Sequence, residues 1–312
     1  VIGKQYTKPF IRSIAGELGN PHTPLRYSLL YLSEMITFPN AKLNLGLRIL
    51  RKRADGYHLL ETIFLPITLT DALEIVPQKA AQEDTWRQSG ITIDGAVESN
   101  TVIRTIQMIR EEVAIPPLEV ELLKKIPFGA GLGGGSADAA FALKMLNQRF
   151  SLNLSEEEMA RKMAQIGADC PFFIYNKPML ATGIGEVLTP IEIPHELQQA
   201  SVVLIKPSLS ISTKEAYAQI TCHPEAEGSL PSLLQKPLDQ WQDLFINDFE
   251  ASLFGRHPIL PKIKESLCKA GAFYTAMTGS GSAIYGFFHT PIAIDPLQSI
   301  YPDSFVWQGN IA

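Results

Sequence analysis

The sequence predicts an α+β protein built from two domains. The chain has 312 residues, which is about twice the length of an average domain. Segments with a strand period of two alternate with segments of helical period in both halves. No internal repeat and no low-complexity tract is present. We place the domains at residues 35–185 and 186–312, and expect the join between residues 176 and 200.

Residues 1–34 differ from the rest of the chain. They lack a starting Met and contain a loop signal at residues 20–24, whereas Met35 opens a strand-like segment. A signal peptide is not indicated, because the short apolar run follows a long polar lead. We expect the natural chain to begin at Met35 and residues 1–34 to be a non-native remnant or disordered. A transit peptide is the alternative.

In the first domain, alternating apolar residues predict strands, and apolar residues three and four apart predict helices. Ser155 and Glu158 form a capping box that opens one helix, which Gly167 ends. We also expect a short strand at Phe172–Phe173. The other predicted strands cover residues 36–38, 41–49, 61–69, 72–76 and 118–126. The predicted helices cover residues 101–113, 136–146 and 155–167.

The second domain shows the same mixture. Ser212 followed by Glu215 predicts the start of a helix. Alternating apolar residues around a Gly-Ser-Gly turn at residues 279–281 predict a final hairpin. The remaining predicted elements are a strand at 202–205, helices near 239–253 and 261–270, and hairpin strands at 275–278 and 283–288.

Composition and charge exclude several classes of protein. The chain holds 27 Lys and Arg against 32 Asp and Glu, and this net charge of −5 argues against a nucleic-acid partner. No run approaches the roughly 18 apolar residues of a membrane span. Cys170, Cys222 and Cys268 are too widely spaced for a metal clip and suit a reducing compartment. We therefore expect a cytoplasmic protein with neither nucleic acid nor membrane as partner.

A glycine-rich loop is the most informative segment. Five of the seven residues from Gly129 to Gly135 are glycine, and they lie between a predicted strand and a predicted helix. Glycines let a backbone approach a ligand closely, and the free N–H groups of a helix start favour phosphate. A merely flexible loop is the alternative. We infer a phosphate-binding loop.

Three common phosphate loops fit poorly. Gly129, Gly131 and Gly134 match the dinucleotide fingerprint, but no strand ending in an acidic residue follows about 20 residues later. The strand before the loop is amphipathic, unlike the first strand of a parallel sheet. A dehydrogenase is therefore disfavoured. The G-x-x-x-x-G-K-[ST] motif is absent, as are the H-R-D and D-F-G motifs of protein kinases.

Residues 127–137 resemble the glycine loop of the GHMP family of small-molecule kinases. Further segments of the chain match the family in the same order, from Met35 almost to the C-terminus: residues 41–45, 53–58, 167–173, 247–250 and 278–281. The resemblance implies an N-terminal domain like domain 2 of ribosomal protein S5 and a ferredoxin-like C-terminal domain. It also implies ATP-dependent phosphorylation of a small-molecule alcohol with Mg²⁺, by a monomer or weak homodimer with no metal site of protein ligands alone.

The resemblance assigns Lys42 and Asp169 as the catalytic pair. Asp169 would accept the proton of the alcohol, and Lys42 would keep that carboxylate ionised and orient the hydroxyl of the alcohol. Lys42 and Asn44 are two residues apart on a predicted strand and so share one face. A surface lysine and a solvated aspartate at a helix end are the alternatives.

The family pattern also implies a nucleotide site. The residues expected to contact ATP are Lys124, Pro127, Phe128, Gly129, Ala130, Gly131, Leu132, Gly133, Gly134, Gly135, Ser136 and Ala137. The family often has Ser or Asn where this chain has Ala137 and Asp138. Asp138 would either cap the following helix or attract the metal.

The best-matching branch of the family acts on a cytidine diphosphate conjugate. In that branch Tyr57 and Tyr217 would enclose the cytosine, His58 would bond its edge, and Asn44 and Thr213 would add contacts to the substrate. The family often has Phe at the position of Tyr217, which could instead be a core residue.

Two alternatives to this function are a GHMP kinase for mevalonate, homoserine or a sugar, and a non-catalytic RNA-binding module. The turn at residues 278–281 either closes over the substrate or is a simple tight hairpin.

Overall fold

The computed structural model describes residues 35–78, 81–92, 96–218, 220–222 and 229–312. They form two domains of mixed helices and sheets, as predicted, and the segment predicted to be a non-native remnant lies outside them. The strands in these ranges are β1 (Ile36–Thr37), β2 (Asn40–Lys52), β3 (His58–Thr70), β4 (Ala72–Pro77), β5 (Thr85–Gly90), β6 (Leu118–Lys124), β7 (Met179–Thr182), β8 (Val187–Pro190), β9 (Ser201–Lys206), β10 (Tyr274–Met277), β11 (Ile284–Phe288) and β12 (Phe305–Asn310).

The described helices are mostly short, and none of them is long and apolar enough to cross a bilayer. The α-helices are α1 (Thr101–Arg110), α2 (Gly134–Arg149), α3 (Glu156–Ile166), α4 (Cys170–Tyr175), α5 (His195–Gln198), α6 (Thr213–Tyr217), α7 (Leu230–Leu233), α8 (Trp241–Leu244), α9 (Asp248–Leu253), α10 (Ile259–Lys269) and α11 (Asp295–Ile300). Two 3₁₀ turns cover Val97–Ser99 and Leu238–Gln240.

The described strands form three four-stranded sheets, in the orders β1-β4-β6-β5, β2-β3-β7-β8 and β10-β11-β9-β12. Only the pair of β5 and β6 is parallel among these ladders. Helices α1 and α2 pack on the first sheet, because Val102 and Leu143 share a buried cluster with Val120. This packing brings the start of α2, and with it the glycine loop, to one end of β6.

The long hairpin of β2 and β3 joins the two domains. Both strands have 13 residues, and their register shifts between Leu45 and Leu47 and again between Ile49 and Arg51. Such irregularities bend and twist a strand pair. Leu43 and Leu45 pack in one core with Trp241 and Tyr274 of the second domain. This shared core fixes the two domains against each other around the hairpin.

The boundary between residues 185 and 186 stays a prediction. The antiparallel pair of β7 and β8 spans it, and β7 in turn pairs with β3. The capping box at Ser155 and Glu158 is present, as predicted.

Two predicted elements are wrong. Phe172 and Phe173 lie in helix α4 and not in a strand, because Pro171 suits the first turn of a helix and both rings pack inward. The helix predicted at 239–253 is interrupted, because Asn247 takes extended backbone angles and caps α9 by accepting from the N–H of Phe249. Four strands were not predicted. They are β5, β7, β8 and β12.

Candidate active site

A cleft of about 720 Å³ opens between the two domains. The glycine loop forms its floor, and Asp169 stands at one side. The second domain contributes Thr213 at the start of α6 and the turn after β10. The cleft is lined by Trp86, Gln88, residues 96–101 without Glu98, Lys124, Ile126, residues 127–136, Asp138, Asp169, Ile211, Thr213, Ser280 and Gly281.

The glycine loop folds as a phosphate cradle would require. Gly129, Gly131 and Gly133 have φ angles of +61°, +74° and +71°, a region that other residues rarely adopt. A Cβ atom on Gly133 would lie 2.9 Å from the ring of Phe173. The loop leads directly into α2, whose first N–H groups have no partner within the helix. These backbone features fit a bound phosphate group.

Lys42 and Asp169 meet beside this loop. Lys42 Nζ lies 3.3 Å from Asp169 Oδ2, and it donates a 2.7 Å hydrogen bond to Asn44 Oδ1. The Lys42 side chain is 4% exposed, whereas that of Asp169 is 35% exposed. The alternative of a surface lysine is therefore wrong. A buried ammonium holds a carboxylate that remains open to the cleft.

Asn44 connects Lys42 to its surroundings. Its Nδ2 group donates to Thr62 Oγ1 at 3.0 Å, and its backbone N–H donates to Thr278 Oγ1 at 3.1 Å. Thr62 in turn donates to the carbonyl of Gly46. Asn44 is buried, and both its Oδ1 atom and its Nδ2 group are bonded within the protein, so it supports Lys42. A contact of Asn44 with the substrate stays a prediction.

The aromatic residues predicted to hold cytosine are partly assembled. The rings of His58 and Tyr217 stack with centroids 4.8 Å apart at an angle of 25°, and Tyr217 packs edge-on against Phe249. Tyr57 is 61% exposed and is therefore free to close on a ligand. The structure thus brings His58 and Tyr217 together and leaves Tyr57 at the surface.

Electrostatics relate this aromatic group to the Lys42–Asp169 pair. Burial and the negative charge of Asp169 raise the pKa of Tyr217. Burial and the positive charge of Lys52 lower the pKa of His58, so its ring is neutral at pH 7. A neutral imidazole offers one donor and one acceptor, which suits hydrogen bonding to the edge of a base.

Lys124 lies beneath the glycine loop in a buried cluster. Its Nζ group forms ion pairs with Asp71 and with Asp138, the latter at 2.7 Å. Asp71 also accepts from the N–H groups of Lys125 and Ile126. Burial acts to lower the pKa of Lys124, but the two carboxylates raise it. The cluster ties β6 to α2 and so shapes the loop, and a contact of Lys124 with ATP stays a prediction.

Asp138 is an acidic residue in a buried position, which changes its pKa. It is buried, its Oδ1 atom has no hydrogen-bond partner, and burial raises its pKa to about 7 despite the ion pair with Lys124. In the unfolded chain its pKa would return to about 3.8. The folded state therefore holds a proton that the unfolded state releases between these two values.

Replacing Asp138 with Asn should change the pH dependence of stability. As pH rises from about 4 to 7, burying the Asp138 carboxylate lowers the free energy of unfolding of the wild type by up to about 1.4 kcal/mol per pH unit. The amide has no such cost. We expect the stability of Asp138→Asn relative to wild type to rise from pH 5 to 7 and to level off above pH 7, as measured by denaturant unfolding.

Asp84→Asn is the control. Burial acts to raise the pKa of Asp84, but its bonds with Arg110 and with the N–H of Leu118 hold this pKa below its usual value. Its contribution is therefore lost only below about pH 4. Its difference from wild type should be flat between pH 5 and 8. A flat difference for Asp138→Asn as well would contradict the prediction.

The hairpin alternative for the turn at residues 278–281 is confirmed. The turn joins β10 to β11 as a hairpin loop, and it also packs on the glycine loop. Ser282 and Ala283 donate backbone hydrogen bonds to the carbonyls of Gly129 and Ala130, each at 3.3 Å. Whether this turn contacts substrate stays a prediction.

Two features of the site were not predicted from the sequence. Asp71, which anchors the start of the glycine loop, follows nine residues that carry no charge, and that isolation was a usable signal. Trp86 lines the cleft from β5, a strand too polar to be recognised by its pattern. Among the described residues, no group of three metal-binding side chains occurs.

Two family models match the chain: the GHMP kinases N terminal domain over residues 100–177 and the GHMP kinases C terminal domain over residues 229–305. A solved homoserine kinase from Cytophaga hutchinsonii shares the fold with a TM-score of 0.68 at 16% identity, over 89% of this chain and 94% of the other. Fold and site together define a GHMP-type kinase.

Relatives narrow this class further. Proteins called 4-diphosphocytidyl-2-C-methyl-D-erythritol kinase from Parabacteroides distasonis and Porphyromonas gingivalis are 47% and 45% identical, each over 89% of this chain and 100% of the relative. A crystal structure of 4-(cytidine 5'-diphospho)-2C-methyl-D-erythritol kinase aligns with a TM-score of 0.75 at 29% identity, over 89% of this chain and 99% of the other. The chain belongs to the 4-diphosphocytidyl-2-C-methyl-D-erythritol kinase family.

Proposed function

We propose that this enzyme transfers the γ-phosphoryl group of ATP to the 2-hydroxyl of 4-diphosphocytidyl-2-C-methyl-D-erythritol, in the non-mevalonate pathway of isoprenoid precursor synthesis. The observation that carries the proposal is the Lys42–Asp169 ion pair at the edge of the glycine cleft. The stacked rings of His58 and Tyr217 support a base-binding site next to this ion pair, because the charge of Asp169 acts on the pKa of Tyr217.

Asp169 is the proton acceptor in this proposal. Its carboxylate is open to the cleft on one side and paired with Lys42 on the other, so it can receive the proton of the attacking hydroxyl. Lys42 keeps the carboxylate in place and its positive charge stabilises the negative charge that develops on the attacking oxygen. Phosphoryl transfer depends mainly on such positioning and electrostatic stabilisation.

The glycine loop would hold the phosphates of ATP. The N–H groups from Gly131 to Ser136 and the start of α2 provide donors and a favourable dipole. ATP would bring Mg²⁺ with it, since this ion keeps several waters and binds through phosphates and few protein ligands. When bound, Mg²⁺ neutralises phosphate charge in the transition state.

Tyr57→Ala should separate the two substrates. Loss of a ring that stacks on the cytosine should raise KM for the cytidine conjugate about tenfold or more, because base stacking contributes about 1–3 kcal/mol. KM for ATP should not change. Phe38→Ala is the matched control, since Phe38 is 60% exposed and Tyr57 61% exposed. An unchanged KM for the conjugate would remove Tyr57 from the cytosine site.

The direct test measures ADP release with ATP and Mg²⁺. The cytidine conjugate, mevalonate and homoserine are supplied separately as acceptors. Turnover with the conjugate alone is expected. Turnover with another acceptor would agree with the roles proposed for Lys42 and Asp169 but would reject the cytosine site. No turnover with any of them would favour a binding module.

We also propose that the enzyme works in the cytoplasm as a monomer or weak homodimer with no nucleic-acid partner. The three cysteines are free thiols, which suits a reducing compartment. Sedimentation across a range of protein concentrations would measure the oligomeric state.

A further inference from the structure

We propose that Thr278 is a positioning residue whose hydroxyl fixes Asn44 and thereby sets the place of the Lys42 ammonium at Asp169. This inference rests on the proposed function. Thr278 belongs to the second domain, and Lys42 and Asn44 belong to β2 of the first. The second domain therefore helps to orient the Lys42–Asp169 pair.

The hydroxyl of Thr278 lies at a junction of three groups. Its Oγ1 atom accepts from the backbone N–H of Asn44 at 3.1 Å, and it lies 3.3 Å from Asn44 Oδ1 and 3.2 Å from the carbonyl of Gly131. A hydroxyl has one proton to donate and can accept as well. It can therefore hold Asn44 while bonding the glycine loop.

Asn44 passes this constraint to Lys42. Its Oδ1 atom accepts the 2.7 Å hydrogen bond from Lys42 Nζ, while its Nδ2 group is held by Thr62. Lys42 Nζ lies only 3.3 Å from Asp169 and 4.9 Å from the centre of the Phe64 ring. A shift of Asn44 would move the ammonium within this narrow space.

Thr278 is itself rigidly held. Asn247 donates to the carbonyls of Met277 and Gly279, the residues on either side of it, at 2.7 and 2.9 Å. Glu250 accepts from the N–H of Met277 at 2.7 Å. Thr278 is fully buried. Because Thr278 is fixed on both sides, its hydroxyl stays in place and can hold Asn44 in one position.

The consequence for catalysis is selective. Misplacement of a reacting group by about 1 Å can lower the rate about 100-fold without affecting binding to the same degree. Loss of the Thr278 hydroxyl should therefore reduce kcat more than it affects either KM. If Thr278 had a purely structural role, loss of its hydroxyl would reduce stability and change kcat and both KM values together.

The experiment compares three variants of the full chain. Thr278→Val keeps the shape but removes the hydroxyl, and Thr278→Ser restores it. Thr275→Val is the matched control, because Thr275 is also fully buried on β10 but its hydroxyl contacts Gln242 and Cys268. We expect kcat to fall about 10- to 100-fold in Thr278→Val, to recover most of its value in Thr278→Ser, and to stay near wild type in Thr275→Val.

Crystal structures of the wild type and Thr278→Val supply a measurement that needs no acceptor. A Lys42 Nζ–Asp169 Oδ2 distance that lengthens in the variant supports the inference. An unchanged distance together with unchanged Asn44 contacts overturns it, whichever alcohol the wild type phosphorylates. Equal loss of kcat in Thr278→Val and Thr275→Val would also overturn it. Failure of the wild type with the cytidine conjugate would reject only the proposed substrate.

Discussion

The Asp169→Asn variant should lose about 10²- to 10⁴-fold in kcat, which is the range for removing a general base. The amide has nearly the shape of the carboxylate but accepts a proton poorly. Asp169 lines the cleft with a partly exposed side chain, so its replacement leaves no large cavity. The affinity for ATP, measured by calorimetry, should stay within about twofold because the glycine loop is intact.

Asp295→Asn controls for the loss of one negative charge, because Asp295 is exposed at the start of α11. It should leave kcat unchanged. If Asp169→Asn lost ATP binding and turnover to the same extent, Asp169 would be a structural residue and the proposed chemistry would be wrong.

The Gly131→Ala variant should be the most damaging change in the nucleotide loop. At a φ of +74° an added side chain costs about 1–2 kcal/mol. Its Cβ atom would also lie 2.0 Å from the backbone carbonyl oxygen of Thr278. Because that oxygen cannot rotate away, the loop and the turn must separate. We expect ATP affinity to fall more than about tenfold and Tm to fall by about 5–10 °C.

Gly129→Ala provides the comparison. Gly129 has a similar φ of +61°, but the nearest atom to its added Cβ, Ser210 Oγ, is 3.6 Å away. It therefore isolates the backbone strain, and its Tm should fall by only about 2–4 °C. Equal losses in the two variants would show that the contact between loop and turn contributes little.

Much of the site could be predicted because its signals are local. The glycine loop, the capping box at Ser155 and the alternation along β2 depend on residues close in sequence. Lys42 and Asp169 were paired through the family resemblance, and the structure places them in contact. Local signals failed at Phe172–Phe173, where aromatic residues that favour strands are held in a helix by packing.

Long-range partners could not be predicted. Lys124 was expected to contact ATP, but its two carboxylate partners include Asp71, which is 53 positions away. The hydroxyl of Thr278 reaches Asn44 across 234 positions. No periodicity encodes such pairs, because they arise only when separate elements pack together. The ion pairs of Lys124 and the bond between Thr278 and Asn44 therefore became visible only in the folded chain.

The close approach of Gly131 and Thr278 also bears on synthesis of the chain at the ribosome. The glycine loop lies about 150 positions before the turn that packs on it, so it leaves the ribosome first. Domains generally fold from the N-terminal side during translation. A nascent chain that ends before Ser282 lacks both backbone hydrogen bonds, the one to Gly129 and the one to Ala130. The glycine loop therefore gains these bonds late, when nearly the whole polypeptide is available.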